Sequence, residues 1–144
     1  MPVPCSTAWA NTDEHEAAGF RFDMYEGVTR KHVEADLVYF ADGQHDLDTG
    51  EPLVLVEMKA SDQEPDAGTG QARSYAYWVK PAYYVTTNGD TVVVYNYQGG
   101  AVPDAKVMDF KRADLRDRFD DLYRLLSPQA AARAREEKIA KLTG

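Results

Sequence analysis

The run Pro52-Leu53-Val54-Leu55-Val56-Glu57-Met58-Lys59-Ala60 constrains the chain more than any other. Side chains alternate across a strand, so Leu53, Leu55, Glu57 and Lys59 share one face and Val54, Val56, Met58 and Ala60 the other. Both faces stay apolar through Val56, which predicts a central strand covered on both sides. A carboxylate and an ammonium at the end of such a strand sit on the rim of a core. They form either a surface ion pair or half of a catalytic site.

Before that strand, Phe20 to Glu26 alternates: Phe20, Phe22 and Met24 face one way, Arg21, Asp23 and Tyr25 the other. Gly27 ends this strand. His32 to Phe40 reads as a second, with Val33, Ala35, Leu37 and Tyr39 on one face and Glu34, Asp36, Val38 and Phe40 on the other. Asp36 is thus an acid among apolar neighbours. Ala41-Asp42-Gly43 and Asp48 to Pro52 are turn material, so the second strand and the central one pair antiparallel. Bringing Asp36 to Glu57 in that pair requires a register offset or a bulge. Further upstream, Thr12 to Ala18 reads as a short helix capped by Asn11 or Thr12 and ended by Gly19.

After the central strand, Ser61 to Gly70 is a polar loop. Gln71 to Lys80 reads as a helix that Pro81 terminates, with Gln71, Tyr75 and Trp78 on one face. Ala82 to Thr87 and Thr91 to Tyr97 form a hairpin about Asn88-Gly89, and residues 98–106 a loop. Lys111 to Leu126 is helical, with an apolar stripe of Leu115, Phe119, Leu122, Tyr123 and Leu126. Ser127 and Pro128 open a last helix, Gln129 to Leu142, in which only Ile139 and Leu142 are large and apolar. That helix is expected to be solvated or to pack on something outside the chain. The fold class is α/β (α+β): a mixed sheet of about five strands flanked by helices, with two helices at the C-terminus. Residues 1–126 are expected to form one domain. Residues 127–144 form a helical extension leading to, or packing on, another domain.

Composition narrows the function. The 144 residues carry a net charge of −8, with 6 basic and 17 acidic residues up to position 105 and 10 and 7 beyond it. An acidic body argues against strong unaided nucleic-acid binding, where phosphate contacts supply most of the affinity. It suits a site that collects divalent cations, or a module delivered to its target by a partner. It equally suits plain solubility. Cys5 is the only cysteine, which excludes an intrachain disulfide and a cysteine-cluster zinc site. His15, His32 and His45 lack metal-ligand spacing. No apolar run approaches the roughly 20 residues of a membrane span. Met1 to Thr7 has neither the basic nor the apolar region of a signal peptide. The expected location is the cytoplasm.

If the two strands pair as expected, the carboxylates of Asp36 and Glu57 converge with the carbonyl of Met58. Such hard oxygen ligands suit Mg²⁺ or Mn²⁺ and leave positions for water and substrate phosphate. Lys59 can orient or deprotonate an attacking water, or neutralise charge in the transition state.

Asp36 followed by Glu57-x-Lys59 on the next strand resembles the PD-(D/E)xK nuclease pattern. Gln71-Ala72-Arg73-Ser74-Tyr75 resembles the QxxxY motif of a subset of that superfamily. Val85-Thr86-Thr87-Asn88-Gly89 resembles the Thr-Asn-Gly turn of type I restriction endonucleases. Taken in order, these motifs resemble the N-terminal nuclease domain of type I restriction R subunits over about residues 20–126. The position before Asp36 is Ala35, where the superfamily usually has proline. Glu14, Glu16 and Glu26 are the candidates for the upstream acid that family members often supply.

The resemblance implies a restriction-endonuclease-like fold and a Mg²⁺-dependent (or Mn²⁺-dependent) endodeoxyribonuclease of restriction or anti-phage defence. It implies Asp36, Glu57, Lys59, Gln71 and Tyr75 as catalytic residues, and Asp36, Glu57 and the Met58 carbonyl as metal ligands. Its expected partners are DNA and a larger motor or specificity subunit or domain, with a homodimer as one arrangement and no membrane. RNA and single strands remain open as substrates, and so does the status of the chain: fragment, stand-alone relative or module of another defence protein. The alternative is a catalytically silent module of the same fold that binds nucleic acid or a partner protein.

Overall fold

The computed structural model describes residues 15–60, 69–98 and 104–143. The elements run β1 (Glu16–Glu26), β2 (Thr29–Phe40), β3 (Pro52–Met58), α1 (Thr69–Val79), β4 (Tyr83–Thr87), β5 (Thr91–Asn96) and β6 (Ala105–Lys111). A 3₁₀ turn (Arg112–Asp114) then leads into α2 (Leu115–Leu126) and α3 (Pro128–Thr143). The six strands form one sheet in sequence order. Every neighbouring pair is antiparallel except β3 with β4. Parallel neighbours need a crossover, and α1 supplies it.

β3 is central, as its two apolar faces require. Leu55 belongs to a core that also holds Phe20, Phe22, Val38, Phe40, Tyr75 and Tyr84, on the α1 side of the sheet. Val54 belongs to a second core with Val85, Val94, Met108, Phe110 and Ala131, under α2 and α3.

Four expectations change. Glu16 to Ala18 is strand, not helix, because it pairs with Leu37 to Tyr39 of β2; Thr12 to Glu14 lie outside the described residues. A sixth strand, β6, replaces part of the loop and the helix start read from sequence. Its Met108 and Phe110 are buried beside β5 while Val107 and Asp109 face outward, an alternation too short to stand out. The last helix packs one face on the sheet of its own chain, while residues such as Leu142 stay exposed. It seats small residues, Ala131, Ala132 and Ala134, on the sheet, and small side chains let the backbone approach closely. Arg135 Nε donates to the Lys80 carbonyl at 3.0 Å, and Lys138 Nζ donates to Asn96 Oδ1 at 2.6 Å and to the Ala82 carbonyl.

The fourth change concerns β2. Val33 and Ala35 pack in the same core as Val38 and Phe40, so strict alternation breaks between Ala35 and Val38. β1 breaks with it: Ala17 joins Phe20 and Phe22 in that core, and Gly19 between them has φ +62°. A left-handed residue is cheap only as glycine. This paired kink falls at Asp36.

Candidate active site

β2 and β3 pair as far as Leu37 with Val56, with a register shift between Tyr39 and Phe40. That shift is the offset the sequence requires. It brings Asp36 and Glu57 side by side where the regular ladder stops. The Asp36 backbone N–H donates to Glu57 Oε1 at 3.2 Å. The Met58 N–H donates to Asp36 Oδ2 at 2.7 Å. Each acid thus binds the other's strand, and both take amide donors that a continuous ladder would have used.

Glu57 is only 3% exposed. Burial pushes its carboxyl up to about 7, and the charge and side-chain contact of Asp36 add to the rise. The Asp36 N–H and the Lys59 charge oppose it. A buried carboxylate beside a second one is electrostatically unfavourable until a cation joins them.

Lys59 is not an ion-pair partner of Glu57 among the described residues. Its Nζ donates to Gln71 Oε1 at 3.1 Å. Gln71 Nε2 in turn donates to the Tyr75 hydroxyl at 2.8 Å. The Tyr75 ring lies edge-on to Phe22 in the core, 5.3 Å between centroids. A chain of contacts therefore runs from the core through α1 to the lysine at the end of β3. The spacing of Gln71 and Tyr75, one helical turn apart, is what lets them bond. The five catalytic candidates fall in two groups near the end of β3: Asp36 with Glu57, and Lys59 with Gln71 and Tyr75.

Among the described residues no upstream acid is seen to join the pair. Glu14 lies outside the described residues, Glu16 pairs with Tyr39, and Glu26 sits opposite Thr29 at the hairpin end of β2. Among the described residues no cluster of three or more histidine, cysteine or acidic side chains is placed to hold a metal. The donors on offer are two carboxylates and the Met58 carbonyl. These hard oxygens fit Mg²⁺ or Mn²⁺, which bind through one or two carboxylates and keep water or phosphate oxygens in the remaining positions.

Two neighbours of the site escape a sequence reading. Arg73 pairs through Nε with Asp104 at 3.0 Å. Asp104 also accepts from the Tyr84 hydroxyl at 2.6 Å, tying α1 to the chain before β6. No local pattern marks Asp104. Thr86 sits beside Glu57 in the β3–β4 pair, fully buried. Its only trace in the sequence is a hydroxyl in the otherwise apolar run Tyr84-Val85-Thr86.

The family described as "Type I restriction enzyme R protein N terminus (HSDR_N)" matches residues 12–109, from the chain upstream of β1 into β6. The chain belongs to this family. The two acids, the lysine and the Gln71–Tyr75 pair all fall inside the span shared with the R-protein N-terminus family; α2 and α3 lie beyond it. A solved structure, the fragment structure of a putative HsdR subunit of a type I restriction enzyme from Vibrio vulnificus YJ016, is 20% identical, with a TM-score of 0.49. The match covers 80% of this chain and 22% of that one, so the chain spans about a fifth of the protein it resembles. No curated protein matches the chain.

Proposed function

We propose that the chain is a metal-dependent DNA endonuclease domain that hydrolyses phosphodiester bonds. The observation that carries this reading is the mutual hold of Asp36 and Glu57 at the end of the β2–β3 ladder, with Lys59 held beside them by Gln71. Asp36, Glu57 and the Met58 carbonyl would hold Mg²⁺ or Mn²⁺. The cation supplies charge neutralisation at the phosphate and a more acidic water.

The chain's own residues do the rest. Lys59, held by Gln71, presents its ammonium where it can orient the attacking water or offset charge that develops on the phosphate oxygens. Gln71 fixes the lysine, and Tyr75 fixes Gln71 through a hydroxyl anchored in the core. Glu57 would give up its carboxyl proton on taking the cation. The net charge of −8 leaves the chain short of the basic surface that holds DNA, which fits delivery by a larger motor or specificity subunit in restriction or anti-phage defence.

The test incubates supercoiled and linear DNA with wild type and Lys59→Ala in Mg²⁺ or Mn²⁺. Cleavage by wild type alone supports the reading; equal behaviour of the two proteins under every condition overturns it. A second reading, a silent binding module, is favoured by one feature. Phe119, Leu122, Tyr123 and Leu126 of α2 face Val54, Val56 and Val85 across an open apolar groove of about 370 Å³.

A further inference from the structure

We propose that Thr86 is a positioning residue for the Glu57 carboxylate, an inference that rests on the cation-site reading above. Thr86 pairs with Glu57 on one side, across the parallel β3–β4 ladder, and with Val93 on the other. Alternation along β4 puts Thr86 on the face of Tyr84, and alternation along β3 puts Glu57 on the face of Leu55. Tyr84 and Leu55 belong to the same core. Thr86 and Glu57 are therefore neighbours on one face of the sheet.

Thr86 Oγ1 is the one buried side-chain polar atom without a hydrogen-bond partner among the described residues. Buried hydroxyls are almost always paired, because a bare one keeps the full cost of losing its water. A valine would occupy the same space without that cost. Of the two ladder neighbours of Thr86, only Glu57 offers an acceptor. The bond that Glu57 Oε1 accepts from the Asp36 N–H is long, at 3.2 Å. Rotation about the Thr86 Cα–Cβ bond can turn the hydroxyl to the carboxylate of its ladder neighbour. The bond then fixes which way the carboxylate oxygens face. The unpaired hydroxyl is thus a donor placed beside the carboxylate it would orient.

The test compares Thr86→Val and Thr86→Ser with wild type, with Asp36→Ala as the control for the cation site. Two quantities are measured: Mn²⁺ affinity by titration calorimetry, and melting temperature with and without Mn²⁺. The expected result is Mn²⁺ binding by wild type that Asp36→Ala abolishes, about 10-fold weaker binding by Thr86→Val, and near-wild-type binding by Thr86→Ser. Without metal, Thr86→Val should melt at or above the wild-type temperature, an outcome that a purely structural threonine would not give. Equal Mn²⁺ affinity in wild type, Thr86→Val and Thr86→Ser overturns the inference while leaving the two-carboxylate site standing. Absence of Mn²⁺ binding by wild type overturns the site reading, and the inference with it. Should Thr86→Val fail to fold, Thr86→Ala against Thr86→Ser makes the same comparison.

Discussion

Lys59 donates to Gln71 Oε1 across 3.1 Å, and this contact joins the end of the central strand to the first turns of α1. The lysine therefore answers to the helix rather than to Glu57, two residues before it. Gln71 is exposed and its bond to Lys59 lies near the surface, so the contact adds little to stability. Gln71→Ala should leave the melting temperature almost unchanged and lower the rate of Mg²⁺-dependent DNA cleavage by about 10-fold or more. Gel assays of supercoiled DNA beside thermal melts separate the two effects. An equal loss in both would make Gln71 a structural residue.

Glu57 makes stability depend on pH. Its folded carboxyl stands at about 7 against an ordinary 4.5. Between these values the folded state keeps a proton that the unfolded state has released, so stability falls as pH rises across that window. The contribution is fully present below about pH 4.5 and lost above about pH 7. Glu57→Gln should remove this slope and gain up to about 3 kcal/mol at pH 8 without divalent cation. Urea unfolding at pH 5 and pH 8 measures it.

Lys138 works in the opposite direction. Burial draws its ammonium down to about 8 from 10.5. Between those values the unfolded chain binds a proton that the folded one has given up. Stability therefore rises with pH from about 8 toward 10.5. Lys138→Met should flatten that rise while α3 stays docked through Ala131. Unfolding curves at pH 7.5 and pH 9.5 show whether the slope goes.

Arg73 neutralises an acid that is almost sealed from water: the Asp104 side chain is 5% exposed. Arg73→Met should cost about 2 kcal/mol, because it leaves a buried carboxylate with only neutral donors. Arg73 lies between Gln71 and Tyr75 on α1, so cleavage should fall as well. In the double variant Arg73→Met with Asp104→Asn, stability should recover in part. A double variant no more stable than Arg73→Met alone would show that the charge of Asp104 is not the cause.

Ala131 is fully buried where α3 meets the sheet. A glutamate there has no room and no partner, so Ala131→Glu should cost about 3 kcal/mol or more. Limited proteolysis should then cut within 128–143 before it cuts the sheet. Cleavage at an unchanged rate would mean that α3 is not held in solution as described.

The amino-acid order alone determined the central strand, since five successive apolar residues, Pro52 to Val56, with both faces apolar have nowhere to go but the middle of a sheet. It also determined that Gln71 and Tyr75 would meet, because the two are one helical turn apart. The Asn88-Gly89 turn was legible for the same kind of local reason: Gly89 takes φ +90° and Asn88 Oδ1 accepts from the Asp90 and Thr91 amides. Contacts between residues distant in sequence were not legible. The register shift between Tyr39 and Phe40 that sets Asp36 beside Glu57, and the kink that β1 and β2 share at Gly19, depend on strand pairing, and no single strand carries that information. Asp104 reaches Arg73 only because β6 closes the sheet edge. The last helix looked too poor in large apolar residues to bury anything. Ala131 is buried, and Ala132 and Ala134 partly so, because the sheet comes to them, and Lys138 reaches acceptors on β5 and before β4 that are far away in the chain. Local spacing decided the elements and paired the helix residues. Only the packed sheet decided which acids face each other, which hydroxyl is left without a partner, and where the last helix lies.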